Sequence, residues 1–143
     1  MTFEKVTASD KPMYGPRKLL LCGFPADAQP KFKTLLKMIG LSDLPVVWAA
    51  PEQARLCLAD LLGLADGAGE GVSSLLPRAI IVSGIAEKEL HALMDACRQT
   101  GMKAALWAAI TPTSETWTLA QLLTELEAER TAMKDLKNAP SKK

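Results

Sequence analysis

Four segments of the chain carry apolar residues at the spacing of an amphipathic helix. Side chains at positions i, i+3, i+4 and i+7 lie on one face of an α-helix, so this spacing predicts helices with one buried face. The apolar positions are Phe32, Leu35, Leu36 and Ile39; Ala54, Cys57, Leu58 and Leu61; Leu90, Leu93, Met94 and Cys97; and Leu119, Leu122, Leu123 and Leu126, with Met133 continuing the last stripe. Gly40 and Gly101 follow the first and third segments, where a glycine commonly ends a helix.

Four short apolar runs alternate with these segments and predict buried β-strands. The runs cover residues 19–22, 46–50, 79–82 and 104–110, and glycine or proline follows each of them within three residues. The run at 104–110 carries the weakest strand signal, because alanine favours helices over strands. The order strand, helix, strand, helix, occurring twice, predicts the α/β class.

The two halves of the chain correspond to each other. Residues 20–24 align with residues 81–85 at an offset of 61, and Gly40 aligns with Gly101 at the same offset. The triplet at 48–50 aligns with the triplet at 107–109, both Trp-Ala-Ala, at an offset of 59. We therefore expect two strand-helix-strand-helix repeats that share one four-stranded sheet about a pseudo-twofold axis. The pattern fixes neither the strand order nor whether the halves pair parallel or antiparallel.

Composition shifts along the chain predict the domain boundaries. Residues 1–16 hold Pro12, Gly15 and Pro16 without a sustained period, which indicates an extended arm, and the polar C-terminus indicates a disordered tail. We expect a single α/β domain at 17–137, with repeat one at 17–64, a glycine-rich link at 65–76, repeat two at 77–137 and the tail at 138–143.

Size and charge narrow the classes of function. The chain has 143 residues, 48% of them hydrophobic, which suits one core. Its 17 basic and 16 acidic residues leave a net charge of +1, so we expect no nucleic-acid partner and no polybasic membrane contact. No apolar run approaches the roughly 20 residues that span a bilayer. Residues 1–5 do not lead into a signal-peptide core, and we expect a cytoplasmic protein.

Cysteine and histidine positions give no catalytic or metal-binding pattern. Cys22, Cys57 and Cys97 are isolated from one another, and His91 is the single histidine. This spacing is typical of reduced, buried cysteines and not of a zinc site or a Cys-His nucleophile pair. We predict no catalytic residue, no metal and no cofactor. Cys22 alone stays geometrically open as a nucleophile, and an enzyme whose turnover depends on Cys22 or His91 is the third hypothesis.

The connection before the last helix is rich in hydroxyl groups and provides a candidate site. Counted from the Trp-Ala-Ala triplets, it is two residues longer than its counterpart in the first half. Hydroxyls and free amides at a helix N-terminus favour a carboxylate or phosphate. The candidate ligand-binding residues are Thr111, Thr113, Ser114, Trp117 and Gly84. The alternative interpretation is helix capping, because Thr118 and Gln121 have the spacing of a capping box.

Residues 78–130 resemble a known family. The resemblance lies in residues 80–84, then 106–113 with its Thr-Pro-Thr, then the Trp-Thr-Leu entry to a helix at 117–119. This pattern resembles an uncharacterised family of short bacterial domains, domain of unknown function 3783, and covers a little over a third of the chain. The resemblance implies a small bacterial α/β module and assigns no activity or site residue.

Together these observations favour a binding role. We expect a non-enzymatic protein-interaction or regulatory module whose partner is another protein or a second copy of the chain. The alternative is a binder of a small anionic metabolite at the Thr-Pro-Thr turn.

Overall fold

Strands and helices alternate along the chain. The computed structural model describes residues 11–74, 76–102 and 105–138. Its elements are β1 (Lys18–Cys22), α1 (Gln29–Met38), β2 (Val46–Trp48), α2 (Leu58–Leu62), β3 (Ala79–Ser83), α3 (Glu87–Gln99), β4 (Leu106–Ala109) and α4 (Leu119–Asn138). Short 3-10 turns lie at Ala26–Ala28, Pro51–Arg55 and Ser114–Thr116. The predicted α/β class is confirmed.

The four strands form one mixed sheet in the order β2-β1-β3-β4. β1 pairs parallel with β2, and β3 pairs parallel with β4. The central pair, β1 and β3, is antiparallel. The halves therefore meet antiparallel, and the carboxyl ends of β3 and β4 lie at the edge opposite to those of β1 and β2.

Both faces of the sheet are buried, which explains why the strands are continuous apolar runs and do not alternate with polar residues. α1 and α3 cover one face, where Phe32 and Leu93 pack on Leu19, Leu21, Ile80 and Val82. α2 and α4 cover the other face, where Leu58 and Leu122 pack on Leu20, Val47 and Ile81. The structure is thus a three-layer arrangement of helices, sheet and helices.

The second helix is shorter than its apolar stripe predicts. The prediction that Ala54 and Cys57 belong to this helix is wrong, because Ala54 lies in a 3-10 turn and Cys57 is extended. Cys57 instead bridges Thr118, with the Leu58 N–H donating to the Trp117 carbonyl at 2.9 Å and the Leu119 N–H donating to the Leu56 carbonyl at 3.0 Å. This bridge holds the beginnings of α2 and α4 side by side.

Strand register corrects the alignment of the two tryptophans. Leu19 pairs with Val46, and Ile80 pairs with Trp107, so both parallel pairs keep the offset of 61. Trp48 therefore occupies the place in the sheet that corresponds to Ala109. The predicted correspondence of Trp48 with Trp107, at an offset of 59, is wrong. From Val46 to α2 and from Trp107 to α4 the chain has the same length, so the predicted two-residue insertion is also wrong.

The predicted N-terminal arm and C-terminal tail lie partly outside the described residues, namely at 1–10 and 139–143. Where the arm is described, the Met13 N–H donates to the Ile85 carbonyl at 2.9 Å, and the Gly84 N–H donates to the Tyr14 carbonyl at 3.0 Å. Asn138 is the last residue of α4. Among the described residues, no helix has the length and apolar character needed to cross a membrane.

Candidate functional site

The hydroxyl groups before α4 bind one another. The Thr111 N–H donates to Ser114 Oγ at 3.0 Å, Thr111 Oγ1 lies 3.0 Å from Ser114 Oγ, and the Ser114 N–H donates to Thr111 Oγ1 at 2.9 Å. Ser114 is buried. The structure thus brings Thr111 and Ser114 together in a closed hydrogen-bond network that stabilises the turn between β4 and α4.

The other predicted site residues do not converge on this network. Thr113 is exposed, and its carbonyl accepts from Thr116 Oγ1 at 3.0 Å. Trp117 is half-buried beside a shallow groove of about 320 Å³ on α4. Gly84 has φ +65° and lies directly against the backbone of Gly15 and Arg17, so it has no open space for a ligand.

The capping interpretation has direct support. The Thr118 N–H donates to Gln121 Oε1 at 2.9 Å, and the Gln121 N–H donates to Thr118 Oγ1 at 3.1 Å, which is a reciprocal capping box at α4. A ligand at the Thr-Pro-Thr turn stays a prediction. The two outer edges of the sheet, formed by β2 and β4, provide a second candidate.

The outer edge of β2 is covered by the glycine-rich link. The Gly67 N–H donates to the Val46 carbonyl at 2.8 Å, and the Trp48 N–H donates to the Ala68 carbonyl at 2.8 Å. The Val46 N–H donates to Asp66 Oδ1 at 2.8 Å. Both outward backbone groups of Val46 and the outward N–H of Trp48 are therefore satisfied within the chain.

The outer edge of β4 is uncovered in the described part of the chain. The N–H groups of Leu106 and Ile110 donate to the carbonyls of Arg78 and Val82, each at 2.9 Å. Because the direction of backbone groups alternates along a strand, the N–H groups of Trp107 and Ala109 point away from β3. No backbone group of the described residues outside the strands themselves pairs with them. Both residues are half-buried, so the edge is accessible.

The lengths of α2 and α4 explain why only one edge is covered. α2 has 5 residues and ends at Gly63, so the chain turns back along β2. Lys18 Nζ donates to the carbonyls of Leu62 and Leu64 at 2.8 and 2.6 Å and holds this return. α4 has 20 residues, so the chain continues along the helix and does not return to β4 within the described residues.

Gln29 fixes the link at its far end. Its Oε1 accepts from the Gly71 N–H at 2.6 Å, and its Nε2 donates to the Val72 carbonyl at 3.0 Å. The side chain is buried, and both ends of its amide are satisfied. Apolar spacing does not single out Gln29. The available signal in the sequence is a glutamine at the start of an apolar helix face together with a glycine-rich segment further along the chain.

The second half of the chain, which contains the open edge of β4, matches a known family model. Residues 78–133 match the family model described as Domain of unknown function (DUF3783). The match confirms the predicted resemblance in the second half of the chain. The DUF3783 segment includes β3, α3 and β4 and ends inside α4, so the open edge lies within it, whereas the covered edge of β2 lies outside it. No curated protein and no solved structure matches the chain.

Burial sets the protonation state of two of the three cysteines. Burial raises the pKa of the Cys22 thiol to about 12 and that of Cys97 to about 11, so both are protonated thiols at neutral pH. His91 is exposed on α3. Within the described ranges, no three His, Cys, Asp or Glu side chains come together as metal ligands do.

Proposed function

We propose that this protein is a binding module that associates with a second copy of itself through the outer edge of β4. The observation that carries the proposal is the contrast between the two edges. Three hydrogen bonds from the link satisfy β2, and the matching groups of β4 face outward. The role is that of a non-enzymatic protein-interaction or regulatory module.

The sequence of β4 supports an edge that is meant to pair. Exposed edge strands are usually protected against association by lysines, prolines or a covering loop. β4 reads Leu-Trp-Ala-Ala and holds neither lysine nor proline, and no loop of the described residues pairs with its outer edge. An unprotected apolar edge of this kind favours addition of another strand, with backbone hydrogen bonds providing the affinity.

A second copy fits this edge by size. Antiparallel pairing about Ala108 places Trp107 of one copy across from Ala109 of the other, so that a large side chain lies beside a small one. The outward N–H and C=O groups of Trp107 and Ala109 then form the new ladder. The two four-stranded sheets become one continuous eight-stranded sheet, and the symmetric contact closes as a dimer.

Sedimentation equilibrium with matched lysine variants tests the proposal. Ala109→Lys places an ammonium group at the paired edge of each copy, whereas Ala59→Lys adds the same charge to an exposed position on α2, which packs on β1. We expect a concentration-dependent dimer that Ala59→Lys leaves intact. A cost of about 1.4 kcal/mol per dimer raises the dissociation constant tenfold, and we expect at least that from Ala109→Lys.

Ala109→Pro provides a second variant in case the lysine perturbs folding. Proline removes an outward N–H and leaves the bonds to β3 intact, as proline does at the edges of natural sheets. A wild-type protein that stays monomeric up to millimolar concentration would contradict the proposal. Dimers that Ala109→Lys and Ala109→Pro leave unchanged would contradict it equally.

We also infer that the two halves are copies of one strand-helix-strand-helix unit related by a pseudo-twofold axis. Support comes from the shared offset of 61 in both parallel strand pairs and in the bridge between Cys57 and Thr118. Pro51 and Pro112 also have this offset. A co-expressed pair of half-chains, 11–64 and 77–138, should reassemble into the folded sheet, and failure of both halves to associate would count against the inference.

The setting we propose is the bacterial cytoplasm. Cys22, Cys57 and Cys97 are all free thiols, which suits a reducing compartment. Fractionation of cells that express the protein should recover it with cytoplasmic markers. Recovery with periplasmic or membrane markers would contradict this setting.

A further inference from the structure

Two arginines occupy matching places in the fold but have different partners. Arg17 and Arg78 each follow a proline and come just before a central strand, at an offset of 61. Arg17 binds the Glu89 carboxylate with both terminal nitrogens, each at 2.8 Å. Among the described residues, no carboxylate lies within ion-pair distance of Arg78. The position that corresponds to Glu89 at the offset of 61 is Ala28, which has no carboxylate to pair with Arg78.

The guanidinium of Arg78 is held in place by its neighbours. Its Nε donates to the Gly23 carbonyl at 3.1 Å, and its central carbon lies 4.2 Å from the centre of the Phe24 ring. These contacts fix the plane of the guanidinium and leave its two terminal nitrogens without a partner in the described chain. Arginine forks of this kind bind carboxylates with two parallel hydrogen bonds.

Arg78 forms part of the wall of a groove between α3 and β4. The groove has a volume of about 270 Å³ and is otherwise lined mainly by apolar side chains. Prominent among these are Ile80, Met94, Cys97, Met102 and Trp107. Arg98 also lines the groove, but it already pairs with Asp95. Burial against these walls lowers the pKa of Arg78, because its charge is partly removed from water.

We propose that this groove, hereafter the Arg78 groove, binds a small amphipathic carboxylate. The carboxylate pairs with the terminal nitrogens of Arg78 as Glu89 pairs with Arg17. The apolar part of the ligand lies along Met94, Met102 and Trp107. Two adaptable thioethers and an aromatic ring suit an aliphatic or aromatic tail, and methionine adjusts readily to the shape of its partner.

A carboxylate fits the Arg78 groove better than a phosphate. The groove offers one unpaired guanidinium, whose two parallel donors match the two oxygens of a carboxylate. A phosphate dianion would leave a second charge facing apolar walls, and burying an unpaired charge is costly. The Arg78 groove shares Trp107 with the proposed pairing of β4, but the charged group that binds the carboxylate does not take part in that pairing. Arg78 lies before β3, and its contacts with Gly23 and Phe24 are within one chain.

Titration with octanoate, followed by two-dimensional NMR, tests the proposal. We expect saturable shifts of the Trp107 indole N–H and the Arg78 Nε–H. Octan-1-ol has the same alkyl chain without the charge and loses the charge-assisted hydrogen bonds to Arg78, so its affinity should be at least about tenfold lower. Non-saturable shifts, or equal affinities for the two probes, would overturn the proposal.

Arg78→Gln and Arg17→Gln form a matched pair of variants. Arg78→Gln should weaken octanoate binding at least about tenfold, since the charged partner is lost. Arg17→Gln removes the twin arginine, which already has its carboxylate, and should leave octanoate binding unchanged. Equal weakening by both variants, or none by Arg78→Gln, would contradict the assignment.

A second variant covers the case in which Arg78→Gln unfolds through loss of its contact with Phe24. Met94→Glu keeps Arg78 and places a tethered carboxylate in the Arg78 groove, where it competes with the ligand. We expect it to abolish octanoate binding, while Met94→Gln, which adds no charge, retains more affinity. Octanoate affinity that is unaffected by Met94→Glu would place the ligand elsewhere and refute the proposal.

Discussion

At the scale of single residues, one glycine allows the link to lie against β2. Gly69 has φ +78°, and a Cβ at this position would overlap the Trp48 carbonyl oxygen. Gly71, two residues further along, has φ +88° but open space around the same position. Both residues have a backbone conformation that glycine adopts most easily. Of the two, Gly69 must in addition lack a Cβ, because Trp48 occupies that space.

These two glycines give a matched test of how the edge of β2 is covered. Gly71→Ala should cost about 1 kcal/mol of unfolding free energy for its left-handed backbone. Gly69→Ala should cost a further ~1–3 kcal/mol, because the new methyl group forces the link away from Trp48. Urea denaturation measures both values. Equal losses for the two variants would show that the link does not pack against β2 as described.

The ion pair between Arg17 and Glu89 gives a prediction on pH. The hydrogen bond from Arg17 lowers the pKa of Glu89 below its ordinary value of 4.5. A lowered carboxyl pKa in the folded state stabilises the fold above pH 4.5, and this contribution disappears as the pH falls through the lowered value. The side chains are 38% and 26% exposed, so screening keeps the effect small.

Glu89→Gln isolates this pair, because glutamine can still accept the hydrogen bond that Glu89 takes from the Ala86 N–H at 2.8 Å. At pH 7 the variant should lose about 0.5–1 kcal/mol of unfolding free energy. Near pH 2 the difference from wild type should be smaller than at pH 7, because protonation of Glu89 weakens the ion pair. Thermal melts at both pH values check this. A difference that persists unchanged at pH 2 would show that the loss is not electrostatic.

At the scale of elements, apolar periodicity predicts most of the structure. α1, α3 and α4 and all four strands occur where the pattern places them, because each buries a continuous stripe or run. The pattern fails at α2, where Ala54 and Cys57 have helical spacing but the backbone is drawn into the bridge with Thr118. A contact between residues 61 positions apart leaves no trace in local spacing.

The candidate site shows the same limit. Hydroxyls at 111–116 satisfy both interpretations, a ligand site and a cap, because sequence alone does not say which donors find partners inside the chain. The open edge of β4 depends on strand order and on the path of the link, which are set by long-range packing. Arg17 and Arg78 have the same sequence setting and differ in their partners, a carboxylate for Arg17 and an aromatic ring for Arg78, which only the folded chain reveals.

The turn before α4 offers a direct test between its two interpretations. Ser114→Ala removes the acceptor of the Thr111 N–H and should cost about 1–2 kcal/mol, since a part-buried donor is left unpaired. Thr113→Ala alters an exposed neighbour and should change stability by less than about 0.5 kcal/mol. Chemical denaturation distinguishes the two. A larger loss for Thr113→Ala would contradict a structural role for the network centred on Ser114.

At the scale of the whole molecule, the two halves differ in how the chain continues past the outer strand of the shared sheet. The first half ends in a short helix and a link that returns to cover β2, and the second ends in a long helix that leaves β4 uncovered in the described chain. In the proposed pairing, the covered edge of β2 would stop growth of the sheet after one partner, because a second copy would find only β4 to pair with. The architecture therefore favours a closed dimer over a fibre.

Residue-resolved hydrogen exchange tests pairing of β4 most directly. The amides of Leu106 and Ala108 bond toward β3, so their protection should not depend on protein concentration. The amides of Trp107 and Ala109 should gain protection as concentration rises through the dimer dissociation constant, and lose it in Ala109→Lys. If the Trp107 and Ala109 amides exchange freely at every concentration, or are already protected in the monomer, the open edge is not the interface.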